Sequence, residues 1–109
     1  MMYSEFFAKR WHTMTLPEQL GNVGSEYSRA RRWKEKGNVE FFDKAFIRFL
    51  ELMDLTITDS RWRGARRREL ARVRGGVCEE FMSTENVHVS FMKYFDVMAV
   101  VARSTYTGK

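Results

Sequence analysis

Apolar residues recur every three or four positions along most of the chain, which is the period of an amphipathic α-helix. Leu20, Val23, Tyr27 and Ala30 form one such face, and residues 42–53 carry another that is rich in phenylalanine. The pattern predicts an all-α fold, a four-helix bundle with short connections that is preceded by a short N-terminal helix.

Residues that begin and end helices divide this pattern into segments. Thr15 and Glu18 fit a capping box, while Gly37 and Asn38 fit the end of one helix and the cap of the next. Asp59 or Ser60 is expected to cap the helix that follows. We therefore predict a single domain over residues 1–109, with helices at 4–12, 15–37, 38–57, 60–82 and 88–103 and a tail at 104–109.

Gly75 and Gly76 lie inside the predicted helix 60–82, and each costs about 1 kcal/mol relative to alanine. Either the helix breaks at this pair, or another element packs closely against its backbone. Val73, Val77 and Phe81 stay in phase across the pair, so we predict an unbroken helix.

Positive charge is concentrated in two runs. Residues 61–74 contain seven arginines and one glutamate, a local charge of +6, whereas the whole chain of 109 residues carries only +5. Residues 29–36 add a second run with a local charge of +4. Such a concentration gives the electric field a direction, and it attracts a polyanion or an acidic partner.

Helical geometry at 100° per residue sorts these cations into groups. The arginines expected to point away from the apolar face are Arg61, Arg68 and Arg72. Those expected to flank it are Arg63, Arg67 and Arg74. Arg66 falls near the centre of the apolar face, so its side chain either extends outward to solvent or meets an acid such as Glu51 or Asp54. We predict a structural ion pair. In the second run, the predicted exposed stripe consists of Arg29, Arg32 and Lys36.

The chemistry of these runs favours nucleic acid. Arginine binds phosphate with two parallel N–H groups, and a tryptophan, present in each run as Trp33 and Trp62, can stack on an unpaired base. No helix-turn-helix, zinc finger or other DNA-reading motif is present. We predict a non-enzymatic accessory or adaptor protein that binds RNA or a ribonucleoprotein. The predicted binding residues are Arg61, Arg63, Arg67, Arg68, Arg72 and Arg74, together with Arg29, Arg32 and Lys36.

The alternative is an oligomeric interaction subunit that docks on an acidic protein partner. The sequence has 16 aromatic residues, more than a small core needs, so Phe6, Phe7, Trp11 or Trp62 could remain exposed and pair with a second copy. A homo-oligomer is therefore expected. No apolar run approaches the roughly 20 residues that span a bilayer; we expect a cytoplasmic protein with no membrane contact.

Catalytic chemistry is weakly represented, and we expect no catalytic residue, no cofactor and no metal. His12 and His88 are interpreted as capping or half-buried residues, and Cys78 as a buried small residue. Residues 21–24 resemble a glycine-rich loop but lack the lysine and hydroxyl of a phosphate-binding loop, so Gly21 and Gly24 are expected to allow close helix packing. An active helical ribonuclease of the HEPN class has a histidine roughly four to six residues after an arginine, and neither histidine here does. A HEPN-like ribonuclease, or an inactive relative of one, is the remaining alternative.

Several segments carry a resemblance: residues 11–14 (WHTM), 21–26 (GNVGSE), 32–38 (RWKEKGN), 50–56 (LELMDLT) and 93–96 (KYFD). On these segments the chain resembles a family of small helical proteins of bacteria and archaea for which no activity is established. The resemblance implies a helical fold and supplies no catalytic residue. In architecture and charge alone, the chain is also similar to the small basic four-helix proteins that accompany reverse transcriptases in diversity-generating retroelements.

Overall fold

The computed structural model describes residues 5–83 and 90–107, and within these ranges the regular structure is entirely α-helical. The five helices are α1 (Glu5–Trp11), α2 (Leu16–Glu35), α3 (Val39–Ile57), α4 (Ala65–Met82) and α5 (Met92–Thr107). The predicted all-α fold is thus confirmed for the described part of the chain. No helix in that part is both long and apolar enough to cross a membrane.

The boundaries of α2 and α3 follow the local signals. The Thr15 hydroxyl accepts a hydrogen bond from the Glu18 backbone N–H, and the Glu18 carboxylate accepts one from the Thr15 N–H, which completes the capping box. Gly37 has a φ of 74°, a left-handed conformation that glycine adopts without strain. The Asn38 side chain then accepts from the Phe41 N–H at 3.0 Å and caps α3. These caps were predicted correctly.

The start of α4 differs from the prediction. The helix begins at Ala65 rather than at residue 60, and its N-cap is Gly64 with a φ of 60°. Asp59 caps no helix, because one of its carboxylate oxygens accepts from the Arg61 N–H in a tight turn. Residues 58–64 therefore form a turn between α3 and α4, which we call the 58–64 turn.

Two further boundary predictions concern α4 and α5. Helix α4 continues unbroken through Gly75 and Gly76, as predicted. Helix α5 extends to Thr107, beyond the predicted end at residue 103, since no glycine or proline interrupts the sequence before Gly108. The predicted start of this helix at residue 88 and His88 itself lie outside the described residues.

The core of this helical bundle is built around α2. Helix α2 packs against α3 and α5, and α4 and α1 pack against α3. The Tyr27 ring lies at the centre, with its centroid 6.3 Å from Phe49 of α3, 5.5 Å from Phe81 of α4 and 5.2 Å from Phe95 of α5. One aromatic cluster therefore joins the four longer helices.

Two glycines allow α5 to approach its neighbours closely. A Cβ added at Gly24 of α2 would lie 2.6 Å from Cβ of Phe95, and one added at Gly76 of α4 would lie 2.5 Å from Cζ of Phe91. At Gly24 the nearest atom is a Cβ, which moves only with the backbone, so this position requires glycine for the observed packing. At Gly76 the nearest atom is the tip of the Phe91 ring, which would have to shift to admit a Cβ. The close packing predicted at Gly24 is found, whereas a Cβ at Gly21 would lie 3.7 Å from Cα of Ala99, an ordinary contact that does not require glycine. The contact at Gly76 accounts for a glycine within α4.

A buried polar network lies at the junction of α1, α2 and α3. The fully buried side chain of Gln19 donates to the Trp11 carbonyl at 2.8 Å and to the Asp59 carboxylate at 3.1 Å. The Trp11 indole donates to the Thr56 hydroxyl at 3.1 Å. Buried polar groups are stable only when they are hydrogen-bonded, and here each has a partner on another element.

Candidate nucleic-acid interface

The arginines of residues 61–74 divide into those that hold the fold together and those that remain on the surface. Arg61 belongs to the first group. Its guanidinium donates to both carboxylate oxygens of Asp59, at 3.0 and 2.8 Å, and to the Met14 carbonyl at 2.7 Å. These bonds fix Arg61 in the 58–64 turn, so its predicted place on an outward helical stripe is wrong.

Asp59 is the reason for this placement. Its side chain is only 3% exposed. The hydrogen bonds from Arg61 hold the pKa of the Asp59 carboxyl well below its usual range, with Gln19 acting in the same direction. The carboxylate in turn raises the pKa of the Arg61 guanidinium. A buried carboxylate keeps its charge only when a cation and donors compensate for the lost hydration, and Arg61 supplies most of them.

Arg67 and Arg74 also make structural contacts. Arg67 is half-buried and donates to the Asp59 carbonyl at 3.0 Å, and its Nε is buried without a partner in the described structure. Arg74 donates to the Asp54 carboxylate at 2.8 Å. Both side chains lie on the side of α4 that faces α3, where their guanidinium groups are less available to a ligand.

Arg66 is exposed, which corrects the prediction of a buried structural ion pair. It lies in the first turn of α4, one turn before the buried Leu70. One of its two expected partners, Asp54, is bound by Arg74 instead. Burial of a guanidinium removes its hydration, and without a buried acid no ion pair compensates for this loss, so the group stays in water.

The exposed arginines at the start of α4 are the remaining cations of this run. Arg68 and Arg72 are one turn apart on the outer side of α4, and both are exposed. Arg63 precedes the helix and is also exposed, with its Nε donating to the Ser60 carbonyl at 2.9 Å. We call Arg63, Arg66, Arg68 and Arg72 the α4 surface.

The groove between α4 and α5 limits where a polyanion could contact this surface. It has a volume of about 340 Å³, and its lining includes Arg72 together with Glu69, Glu79 and Glu80. Burial raises the pKa of Tyr94, which also lines this groove, to about 12, and Glu69 acts in the same direction. Three carboxylates disfavour an anion inside the groove, so any phosphate contact is expected on the outer side of α4.

The second basic run lies on α2. Arg32 is exposed, whereas Arg29 pairs with Glu26 at 2.8 Å. Lys36 is exposed, and its Nζ lies 5.3 Å from the centre of the Trp33 ring. All three predicted residues are thus on the surface, although one of them has an acidic neighbour that reduces its attraction for an anion.

The two basic stripes do not share a continuous surface. Arg29 and Arg32 line a groove between α2 and α5, together with Phe95 and Asp96 of α5. Arg72 lines the groove on the other flank of α5, beside Phe91 and Tyr94. Helix α5 therefore separates the stripe on α2 from the α4 surface.

The tryptophans of the two runs have different roles. The Trp62 indole donates to the Gln19 amide oxygen at 2.9 Å, and the Arg61 guanidinium lies 4.5 Å from its ring centre. Trp62 is therefore committed to the buried network. Trp33 packs edge-on against Phe41, with ring centroids 4.8 Å apart, at the surface between α2 and α3.

A second polar cluster lies near the start of α5. The Tyr27 hydroxyl donates to the Glu80 carboxylate at 2.8 Å and accepts from the Phe91 backbone N–H at 2.9 Å. Burial raises the pKa of Glu80 and that of Tyr27. Arg31 lies 3.6 Å from the same carboxylate. These contacts fix the start of α5 against α2 and α4, and the sequence offered no signal for them.

Two side chains considered for catalysis or metal binding, His12 and Cys78, make contacts within the fold. The His12 ring is hydrogen-bonded to the Leu55 carbonyl at 3.3 Å, and half-buried Cys78 packs against the core. Among the described residues, no three side chains of His, Cys, Asp or Glu are grouped so that they could hold a metal ion.

Comparison of the chain with protein-family models, with curated proteins and with solved structures gave no match.

Proposed function

We propose that the protein is a non-enzymatic accessory or adaptor protein that binds RNA, alone or within a ribonucleoprotein, through the α4 surface. The observation that carries this proposal is the exposure of four arginines between residue 63 and the middle of α4, where the other arginines of the same run are hydrogen-bonded to acceptors of the protein itself. Exposed arginines that neutralise phosphates release counterions from the nucleic acid, and this release drives binding.

The proposed arrangement is a four-helix bundle of α2–α5 to which α1 is added. In such a bundle, α4 supports its arginines on a rigid element, and binding would require little ordering of the protein. Contacts of this kind recognise the phosphate backbone rather than a base sequence. We therefore propose binding without marked sequence preference.

The test is a salt titration. Binding of a fluorescent, unstructured oligouridine is measured by fluorescence anisotropy over a series of NaCl concentrations for the wild type and for the double variant Arg68→Glu, Arg72→Glu. We expect wild-type binding at low salt, with affinity that falls as salt rises. The variant is expected to bind more weakly, and its salt dependence should decrease by about 0.7 in log–log slope for each phosphate of a single strand that it no longer neutralises.

The matched control is Lys9→Glu, Arg10→Glu, which changes the net charge equally on exposed residues of α1. If this control weakens binding as much as the α4 variant does, overall charge rather than the α4 surface is responsible. Absence of wild-type binding at low salt contradicts the proposal, and so does unchanged binding by the α4 variant. Shortening of the RNA on incubation would instead favour the ribonuclease alternative.

A second candidate, a self-associating subunit, is favoured by exposed apolar side chains. Val97 and Val100 of α5 are each 51% exposed, and Phe6 of α1 is 71% exposed. Apolar groups in such positions often contact a partner. Trp11, which the sequence allowed as an exposed contact, is buried and cannot serve. Light scattering at high protein concentration tests this candidate, and a monodisperse monomer would count against it.

A further inference from the structure

A groove between α2 and α3 combines aromatic rings with positive charge. It has a volume of about 320 Å³, and its lining includes Trp33 and Phe41 together with the basic side chains of Arg29, Lys44 and Arg48. One carboxylate, that of Glu26, also lines the groove and pairs with Arg29 at 2.8 Å, so Lys44 and Arg48 remain as its cations. We call it the α2–α3 groove. Phe41 is 41% exposed although it is a large apolar residue, and it lies in the first turn of α3.

Two lysines lie beside the rings of this groove, whereas the Arg48 guanidinium lies 5.9 Å from the centre of the Phe7 ring. Lys36 Nζ is 5.3 Å from the centre of the Trp33 ring, and Lys44 Nζ is 5.5 Å from the centre of the Phe41 ring. Lys44 also pairs with Glu40 at 3.5 Å, but both side chains are largely exposed, and such pairs are weak in water. In the described part of the chain, no carboxylate forms an ion pair with Lys36 or Arg48.

Trp33 also differs from the other two tryptophans in its hydrogen bonding. The indole N–H groups of Trp11 and Trp62 donate to Thr56 and Gln19, respectively. Within residues 5–83 and 90–107, the Trp33 indole N–H donates to no protein acceptor. The ring thus contributes packing to the α2–α3 junction while its polar group and part of its surface remain available.

We propose that the α2–α3 groove is a second RNA contact, at which an unpaired base stacks on the Trp33 ring beside Phe41, whose ring is inclined by 76° to that of Trp33, while Lys36, Lys44 and Arg48 bind the flanking phosphates. This inference rests on the proposed RNA binding and specifies that the RNA must be single-stranded at this site. A base in a duplex has both faces covered by its neighbours, whereas an unpaired base has a free face for an aromatic side chain.

The charges around the rings select the class of ligand. Ammonium groups beside Trp33 and Phe41 repel a cationic ligand, so the groove is unlike an aromatic cage for quaternary amines. A nucleotide offers a neutral ring and a negative phosphate next to each other, which matches an aromatic surface bordered by cations. The lysine–ring contacts are exposed and weak, so a base can displace them.

The experiment compares oligouridine with inorganic polyphosphate, a polyanion that has no bases. Trp33→Leu keeps an apolar side chain but removes the stacking ring, and we expect it to weaken oligouridine binding by about 5- to 150-fold. Polyphosphate binding should be unchanged, and so should the salt slope, because no charge is removed. Phe41→Leu, at an exposed position, should act in the same direction and serves if Trp33→Leu fails to fold. Phe6→Leu, which removes an exposed ring outside the groove, is the matched control.

The outcomes separate this inference from the proposed function. If the wild type binds oligouridine and both groove variants bind it equally well, the stacking site is wrong while RNA binding stands. If the wild type binds no RNA, the proposed function fails. If the groove variants weaken oligouridine and polyphosphate binding equally, stacking is overturned. Polyglutamate, a polyanion with a peptide backbone, is a third ligand. If the groove variants weaken its binding as much as that of oligouridine, the groove is a docking site for an acidic protein and the stacking proposal is wrong.

Discussion

The 58–64 turn and the α2–α3 groove are built from the same two kinds of side chain and use them in opposite ways. In each, a cation lies near an indole ring: Arg61 at 4.5 Å from Trp62, and Lys36 at 5.3 Å from Trp33. In the turn, the guanidinium is bound by Asp59 and the indole N–H by Gln19. In the groove, as far as the described residues show, neither polar group has such a partner.

The difference shows what decides the role of a cation–aromatic pair in this protein. Asp59 and Gln19 are buried acceptors, and a buried acceptor without its donor costs free energy. The donors in reach of them are therefore held in place. Among the described residues, no buried acceptor binds the Trp33 indole, so its N–H is not held in place in this way.

The largest expected change in stability comes from a substitution in the 58–64 turn. Arg61→Ala would leave the nearly buried Asp59 carboxylate without its cation, and we expect the free energy of unfolding to fall by about 3 kcal/mol. Urea unfolding followed by circular dichroism measures this change. Arg63→Ala, at an exposed neighbour in the same turn, should change stability by less than about 0.5 kcal/mol. Similar decreases for the two variants would show that the buried carboxylate does not distinguish these arginines.

The second prediction concerns pH. The Asp59 pKa is held below its usual value of about 3.9. As pH falls, the unfolded chain therefore takes up a proton at this position at a higher pH than the folded protein does. The stability contributed by the charged group is thus present at neutral pH and is lost as pH falls through the folded-state pKa. The stability difference between wild type and Asp59→Asn should shrink below about pH 4. Urea midpoints over a pH series test it, and a constant difference would contradict the assignment.

A smaller effect is expected from the indole groups. Trp62→Phe removes the donor to the buried Gln19 oxygen and should cost about 1–2 kcal/mol. Trp33→Phe removes an N–H that has no acceptor in the described structure, so we expect a change within about 0.5 kcal/mol. Thermal or urea unfolding of the pair measures the contrast. Equal destabilisation would mean that the network around Gln19 contributes no more than surface packing.

The smallest effect on stability is expected in the groove. Lys36→Gln combined with Lys44→Gln should leave the free energy of unfolding within about 0.5 kcal/mol of the wild type, because both cations are exposed. The same variant should reduce the salt dependence of oligouridine binding by about 0.7 in slope for each phosphate left without its lysine. Lys9→Gln, Arg10→Gln removes the same charge from α1 and should leave the slope less affected. If both variants lower it equally, the groove has no special part in binding.

Features fixed by neighbouring residues were predictable from the sequence. The capping box of Thr15 and Glu18 and the Asn38 cap involve residues three positions apart, and the structure has them where the pattern placed them. The continuity of α4 through Gly75 and Gly76 also followed from the phase of its apolar residues. Local hydrogen bonds and helical periodicity suffice for such features.

The roles of the arginines were less predictable because they depend on distant residues. Asp59 accepts from Gln19, 40 positions away, and this contact together with Arg61 turns the chain before α4 can begin. Helical projection from residue 60 consequently misplaced Arg61. Arg66 lies within α4, and its predicted ion pair is absent because Asp54, one of its expected partners, is bound by Arg74. The exposure of Arg68 and Arg72 agreed with the projection. Whether any of them contacts RNA remains a prediction.

The close packing at Gly24 and Gly76 affects the shape of the grooves beside α5. Phe95 of α5 rests on Gly24, and Phe91, the residue before α5, rests on Gly76, so the absence of a methyl group at Gly24 sets how closely α5 approaches α2. This one helix is a wall of the grooves on both of its flanks. A methyl added at Gly24 would therefore displace α5 and change the width of both grooves at once.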